Sequence, residues 1–201
     1  MEQRTEEWFK ARLGRVTASR IADVCAKTKT GPSASRASYM AQLIAEALTG
    51  NPPEPFTNAA IEWGVEHEAE ARDAYSAKTG ELVEEVGFIQ HPTLQAGASP
   101  DGYVNEGLIE IKCPNTQTHL DYIYDGKPPT KYVQQMQFQM ACTGRPWCDF
   151  VSYDPRLPEN LRLLIIRVPR DDRMIADMES AVTEFINEMN AKLEKLKEIK
   201  L

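Results

Sequence analysis

The sequence predicts an α/β fold, a central mixed β-sheet flanked by helices, on three observations. Helix-like segments lead the chain, short apolar runs bounded by turn residues gather in its middle, and long helical patterns lie beside and after them. At 201 residues with 42% hydrophobic content, the chain can bury one core. No composition break separates a second domain from residues 1–201.

Residues 5–13 and 19–26 are expected as short helices, and 35–48 as a longer one stopped by Thr49-Gly50. Residues 51–55, Asn-Pro-Pro-Glu-Pro, form a rigid connector, because proline fixes φ and removes a backbone donor. Thr57 then caps a helix running to Thr79-Gly80, with Ile61, Gly64, Glu68 and Ala71 on one stripe at helical spacing. Strands follow at 85–90 and 94–98, and a hairpin pairs 103–104 with 108–112 through the turn chemistry of Asn105-Glu106-Gly107. After Pro114 come an irregular helical stretch, a Gly-Lys-Pro-Pro turn at 126–129 and a helix over 130–142. Strands at 149–153 and 161–168 precede an amphipathic helix over 171–197, whose apolar stripe, including Ile175, Met178, Val182 and Phe185, packs on the core.

Composition narrows the function. No apolar run is long enough for a membrane helix, and Met1-Glu2-Gln3-Arg4 lacks the apolar stretch of a signal peptide, so the protein is expected to be cytoplasmic. Cys25, Cys113, Cys142 and Cys148 have neither C-x-x-C spacing nor a histidine at finger-like distance, which argues for reduced thiols over a zinc site. His67, His91 and His119 are scattered, with no triad order, and no Gly-rich phosphate loop is present. The net charge of −7 speaks against a nucleic-acid partner, but the distribution does not. The first 36 residues hold eight basic against four acidic residues, a basic end on an acidic chain. A DNA-facing surface and an ordinary solvated surface both fit that pattern.

Chemistry concentrates in Ser99-Pro100-Asp101-Gly102 and Leu108-Ile109-Glu110-Ile111-Lys112-Cys113-Pro114. Side chains alternate along a strand, so Glu110 and Lys112 share one face while Ile109 and Ile111 enter a core on the other. The hairpin places Asp101 at the strand mouth beside Glu110. Two converging carboxylates suit a hard divalent cation, Mg²⁺ in particular, which is held by one or two carboxylates with water and phosphate oxygens. Lys112 can hold or polarise an attacking water, and to act as a base it would need a pKa depressed from about 10.4. Such spacing also arises by chance on solvated strands.

The neighbouring residues add weight. Arg12-Leu13-Gly14, Thr17-Ala18-Ser19, Trp63-Gly64 with Glu68, the Asp101 and Glu110-x-Lys112 runs and Gln135-Met136-Gln137 follow in an order that resembles the phage lambda exonuclease family, within the larger PD-(D/E)XK nuclease group. The resemblance extends from Glu7-Trp8 to Tyr153-Asp154-Pro155-Arg156 and the C-terminal helix. It implies a PD-(D/E)XK nuclease-like fold and a Mg²⁺-dependent 5′-to-3′ exonuclease on double-stranded DNA. Such an enzyme releases mononucleotides from 5′-phosphorylated ends and leaves 3′ single-stranded tails for phage-type recombination by strand annealing. It further implies a homotrimer ring around DNA and a single-strand annealing protein as partner. A structure- or sequence-specific endonuclease and an inactive DNA-end-binding module are the alternatives.

The resemblance also distributes roles. Asp101, Glu110 and the Ile111 carbonyl would hold two Mg²⁺ ions, with Mn²⁺ as a substitute, Glu68 would add a further carboxylate, and Gln135 would orient water or a ligating carboxylate. Arg12, Ser19 and Thr17 would take the terminal 5′ phosphate, using the planar guanidinium fork and backbone N–H groups of a helix opening there. Lys29 would reach DNA, and Ile61 would act as a wedge at the terminal base pair. Each has a plainer reading: Glu68 and the crowded glutamines 134, 135, 137 and 139 as solvated helix residues, Arg12 as a surface arginine, Ser19 as a cap, Lys29 as a loop cation and Ile61 as core.

Overall fold

The computed structural model describes residues 2–29, 31–52 and 57–200. The first half contains α1 (Glu6–Arg12), β1 (Val16–Thr17), a 3₁₀ turn (Ala18–Arg20) running into α2 (Ile21–Cys25), the small hairpin β2 (Lys27–Thr28) and β3 (Gly31–Pro32), α3 (Ala34–Thr49) and α4 (Ala59–Thr79). Then come β4 (Ile89–Gln90), β5 (Ala96–Ala98), β6 (Gly102–Val104), β7 (Gly107–Lys112), α5 (Thr116–Asp125), α6 (Thr130–Thr143), β8 (Trp147–Tyr153), β9 (Leu163–Pro169) and α7 (Asp172–Glu198). The expected connector at 51–55 lies partly outside the described residues.

Helix starts follow side-chain capping. Thr5, Ser33, Asn58, Asn115 and Asp171 each accept a hydrogen bond from a backbone N–H of the first turn they precede. The cap of α4 is therefore Asn58 and not Thr57, whose hydroxyl donates to Glu62 Oε1 at 3.2 Å instead. Asn115 likewise starts a regular α5 where an irregular stretch was expected. Gly50 and Gly80 end α3 and α4 with φ of +67° and +78°, the left-handed conformation that stops a helix without a Cβ clash.

The central sheet has the order β6-β7-β8-β9, with β7 and β8 parallel and the outer pairs antiparallel, so it is mixed as expected. Helices cover both faces. Ile109, Ile111, Val151 and Tyr153 meet Ala71 and Tyr75 of α4 on one side, while Leu108, Cys148, Phe150 and Val168 meet Met136, Phe138 and Met140 of α6 on the other. Behind α6 lie α2, α3 and α7, and α7 buries Ile175, Met178, Val182, Phe185, Ile186 and Met189. Alternation along β7 thus decides which helix each side chain meets.

A second sheet, β1-β5-β4, sits beside the site-bearing elements. Its outer strand is only Ile89–Gln90, shorter than the expected 85–90, because the preceding chain is drawn elsewhere: Glu84 pairs with Tyr103 through hydrogen bonds of 2.9 and 2.8 Å. The two-residue strand β1 pairs in parallel with β5 and delays α2, so the helix expected over 19–26 is α-helical only over Ile21–Cys25. Among the described residues no helix is long and apolar enough to cross a membrane. The four cysteines are free, Cys142 and Cys148 buried and Cys25 and Cys113 half-buried.

Candidate active site

The β6–β7 hairpin builds the centre. Gly102 pairs with Ile109 and Val104 with Gly107, leaving Asn105-Glu106 as the loop, with Asn105 at a φ of +48° that asparagine tolerates. Asp101 is thereby held against β7: its N–H donates to the Ile109 carbonyl at 3.2 Å, and its Oδ2 accepts from the Ile111 N–H at 2.6 Å. Gly102 beside it has no room for a side chain, since a Cβ would come within 2.4 Å of Val83 Cγ1. The backbone thus fixes the aspartate.

Glu110 and Lys112 lie on the opposite side of β7 from Ile109 and Ile111, as alternation predicts, and α6 crosses over Glu110. Only 1% of the Glu110 side chain is exposed. Its Oε1 accepts from Lys112 Nζ and from Gln135 Nε2 at 2.7 Å, and its Oε2 accepts from Gln139 Nε2 at 2.6 Å. The solvated reading of the α6 glutamines therefore fails for 137 and 139, both buried. Residues four apart share a helix face, so Gln135 and Gln139 together overlook β7. Gln137 points elsewhere, donating to the Pro169 carbonyl at 2.7 Å and accepting from the Asp171 N–H at 2.8 Å. The i, i+4 repeat from Gln135 was the available sequence signal for Gln139.

Charge at the site is unbalanced. Burial, reinforced by the Glu110 and Glu68 charges, pushes the Asp101 carboxyl well above the usual carboxylate range, against the opposing pull of Lys112 and the Ile111 N–H. Burial lowers the pKa of the Lys112 ammonium, but Glu110 and Asp101 outweigh it and the net shift is upward. Burial with the charges of Glu68 and Asp101 lifts the Cys113 thiol to about 12. A site of buried oxygen donors carrying excess negative charge fits a hard cation. Among the described residues no three His, Cys, Asp or Glu side chains converge as a ligand cluster. Glu68 is near enough to raise Asp101, yet its oxygens are engaged by Arg4 Nη2 at 3.1 Å and Arg72 Nη2 at 3.3 Å.

The expected phosphate residues line a separate cavity of about 580 Å³, bordered by Trp8, Arg12, Thr17, Ser19, Arg20 and Tyr39 among others. The Arg12 guanidinium stacks 3.9 Å from the Trp8 ring centre, its Nη1 lies 3.5 Å from Ser99 Oγ, and burial lowers its pKa. Among the described residues it has no carboxylate partner within ion-pair distance, so it presents an unneutralised charge. Ser19 Oγ and Thr17 Oγ1 stand 3.3 Å apart, but the Thr17 N–H is taken by Tyr39 Oη at 3.0 Å, and Ser19 lies in the 3₁₀ turn. The expected helix opening is this 3₁₀ turn, with Thr17 at its N-cap and no side-chain hydrogen bond capping it, running into α2. Ser99, which also accepts from Trp8 Nε1 at 2.9 Å, was missed as a site residue although it lies two positions before Asp101. It ties cavity to catalytic centre.

Two other candidates are placed more loosely. Lys29 is exposed beside β2, and Ile61 on α4 is 44% exposed, which removes the core reading for that isoleucine. His119 Nδ1 and Ser152 Oγ do meet at 2.7 Å, but both residues are fully buried and His119 Nε2 donates to the Leu161 carbonyl at 2.8 Å. That pair fastens α5 to β8 and offers no nucleophile.

An aspartate pinned beside a Glu-x-Lys strand, in a mixed sheet crossed by a glutamine-bearing helix, places the protein in the PD-(D/E)XK nuclease class. The chain belongs to the YqaJ-like viral recombinase domain family, whose model matches residues 7–146. It is similar to an alkaline exonuclease (LHK-Exo) from Laribacter hongkongensis, at 56% identity over 96% of each chain with a TM-score of 0.90. The same enzyme in complex with dAMP is similar to the same degree. A phage-related exonuclease from Haemophilus somnus 129PT shares the fold at 16% identity, with 90% of this chain and 96% of that one covered and a TM-score of 0.75. A comparison with curated proteins finds no match.

Proposed function

We propose that this chain is a Mg²⁺-dependent 5′-to-3′ exonuclease on double-stranded DNA, working as a single nuclease unit over residues 1–201. It releases mononucleotides from 5′-phosphorylated ends and leaves 3′ single-stranded tails. The carrying observation is that Ser99, at the Arg12 cavity, and Asp101, at the carboxylate pair, are two residues apart on one rigid segment. A cationic site at fixed distance from a hydrolytic centre is what an end-dependent nuclease needs. The exonuclease activity of the Laribacter relative, and its complex with dAMP, support the same reading.

Asp101 and Glu110, with the Ile111 carbonyl, would hold Mg²⁺ or Mn²⁺. Two such ions supply water activation and stabilise the leaving oxygen of an in-line displacement. Lys112, paired with Glu110, would position or deprotonate the attacking water or stabilise charge on the phosphate. Gln135 holds Glu110 through Oε1. Glu68 becomes available as a further ligand once Arg4 and Arg72 release it. Arg12, with Ser19, Thr17 and Ser99, takes the 5′ phosphate, while Lys29 and Ile61 meet the duplex, Ile61 as a wedge on the terminal pair. The assembly is a homotrimer ring that encloses DNA and feeds its 3′ tail to a single-strand annealing protein.

The test compares covalently closed circular duplex with the same molecule linearised, in Mg²⁺ and in EDTA. Degradation of the linear form alone, only in Mg²⁺, is expected. Rapid cutting of the closed circle would identify an endonuclease instead. Tight binding to ends without nucleotide release in Mg²⁺ would identify an end-binding module.

A further inference from the structure

Glu110 is gripped by two amides from one helix. Gln135 reaches Oε1 at 2.7 Å and Gln139 reaches Oε2 at 2.6 Å. They differ in surroundings: Gln135 is half-buried, while Gln139 is fully buried and its own carbonyl, among the described residues, faces only the Cys148 thiol, a weak donor at 4.0 Å. The opposite amide orientation would set its carbonyl oxygen against a carboxylate, so the N–H₂ group must face Glu110. Gln135 keeps some contact with solvent, whereas Gln139 has none.

A carboxylate offers about four acceptor positions. Lys112 and Gln135 use two on Oε1 and Gln139 one on Oε2, which leaves one on Oε2. An amide holds the group without cancelling its charge, whereas an arginine or lysine there would compete with a cation. We infer that Gln139 is a positioning residue for metal capture: it locks the rotation of Glu110 so that the remaining Oε2 position stays open to the divalent ion. This rests on the metal-dependent reading above.

The test measures metal binding without turnover. Mn²⁺ is titrated calorimetrically into wild type, Gln139→Leu and Gln139→Asn in the absence of DNA, with thermal melts in EDTA as the check on folding. Leucine matches the buried volume but removes the donor; asparagine keeps an amide and withdraws it by one carbon, and serves if the leucine variant does not fold. Loss of an outer partner of a metal ligand costs about 10–100-fold in affinity, and that loss is expected for leucine, with asparagine intermediate. In nuclease assays the half-saturating Mg²⁺ concentration should rise by a larger factor than kcat falls. Folded variants with wild-type Mn²⁺ affinity, or a loss confined to kcat, would overturn the inference alone. Wild type that neither binds Mn²⁺ nor cuts DNA would overturn the function on which it rests.

Discussion

Lys112 sits between two carboxylates whose attraction exceeds the cost of its burial, so without a metal its pKa is raised. Lys112→Ala should lower the nuclease rate by about 10²–10³-fold, the range for removing one electrostatic stabiliser of the transition state. Rates that persist near wild type would remove Lys112 from the chemistry. Asp101 is the complementary case, a carboxyl whose charge is disfavoured by burial and by Glu110, which the proposed cation would relieve. Mg²⁺ should therefore raise the melting temperature of wild type by about 2–4 °C for each kcal/mol of binding, and leave Asp101→Asn nearly unmoved. Arg12→Ala should erase the preference for 5′-phosphorylated over 5′-hydroxyl ends while sparing the hydroxyl-end rate, measured on matched duplexes. The placement of Asp101, Glu110 and Lys112 was legible in the sequence because strand alternation and a hairpin turn are local, while their roles came from the family resemblance. Ser99 and Gln139 were not legible, because their roles depend on which distant element lies opposite.

At the scale of elements, α6 was the least legible. Gln137 and Gln139 read as solvent-facing on a helix that is in fact enclosed by the sheet on one side and by α2 and α7 on the other. Fixed partners for each buried amide replace water. Gln137→Leu would strand the Pro169 carbonyl and the Asp171 N–H at the β9–α7 corner, and should cost about 1–3 kcal/mol in urea unfolding. Helix boundaries were read well where glycine ended them, at Gly50 and Gly80, and less well where several polar residues competed for the cap, as with Thr57 and Asn58. At the end of β8, burial would raise Asp154, but hydrogen bonds from Arg156 and Thr116 prevail and hold its carboxyl at about 2, against the ordinary 3.8. A carboxyl with a depressed folded pKa contributes stability above its unfolded value and loses it as pH falls through the folded one. Acid destabilisation between about pH 4 and pH 2 should accordingly be shallower in Asp154→Asn than in wild type, a difference that pH-resolved melts will read.

For the whole molecule, the mixed sheet and its flanking helices followed from element order alone, while the short β1-β5-β4 sheet escaped because two-residue strands carry no periodic signal. The charge asymmetry, with eight basic residues among the first 36 of a chain carrying −7, fits a basic face that takes DNA on a body that repels it. Light scattering should find a mass of three chains if the ring forms, and a monomer would remove enclosure as the source of processivity. The central claim is end-dependent hydrolysis from the 5′ side by Asp101, Glu110 and Lys112. Its most direct measurement follows label release from linear duplex marked at either the 5′ or the 3′ end, with and without a 5′ phosphate, in Mg²⁺ and in EDTA, beside Lys112→Ala. The prediction is prompt, Mg²⁺-dependent release of the 5′ label, faster with the phosphate and lost in the variant. Release from the 3′ end, or internal fragments, would contradict it.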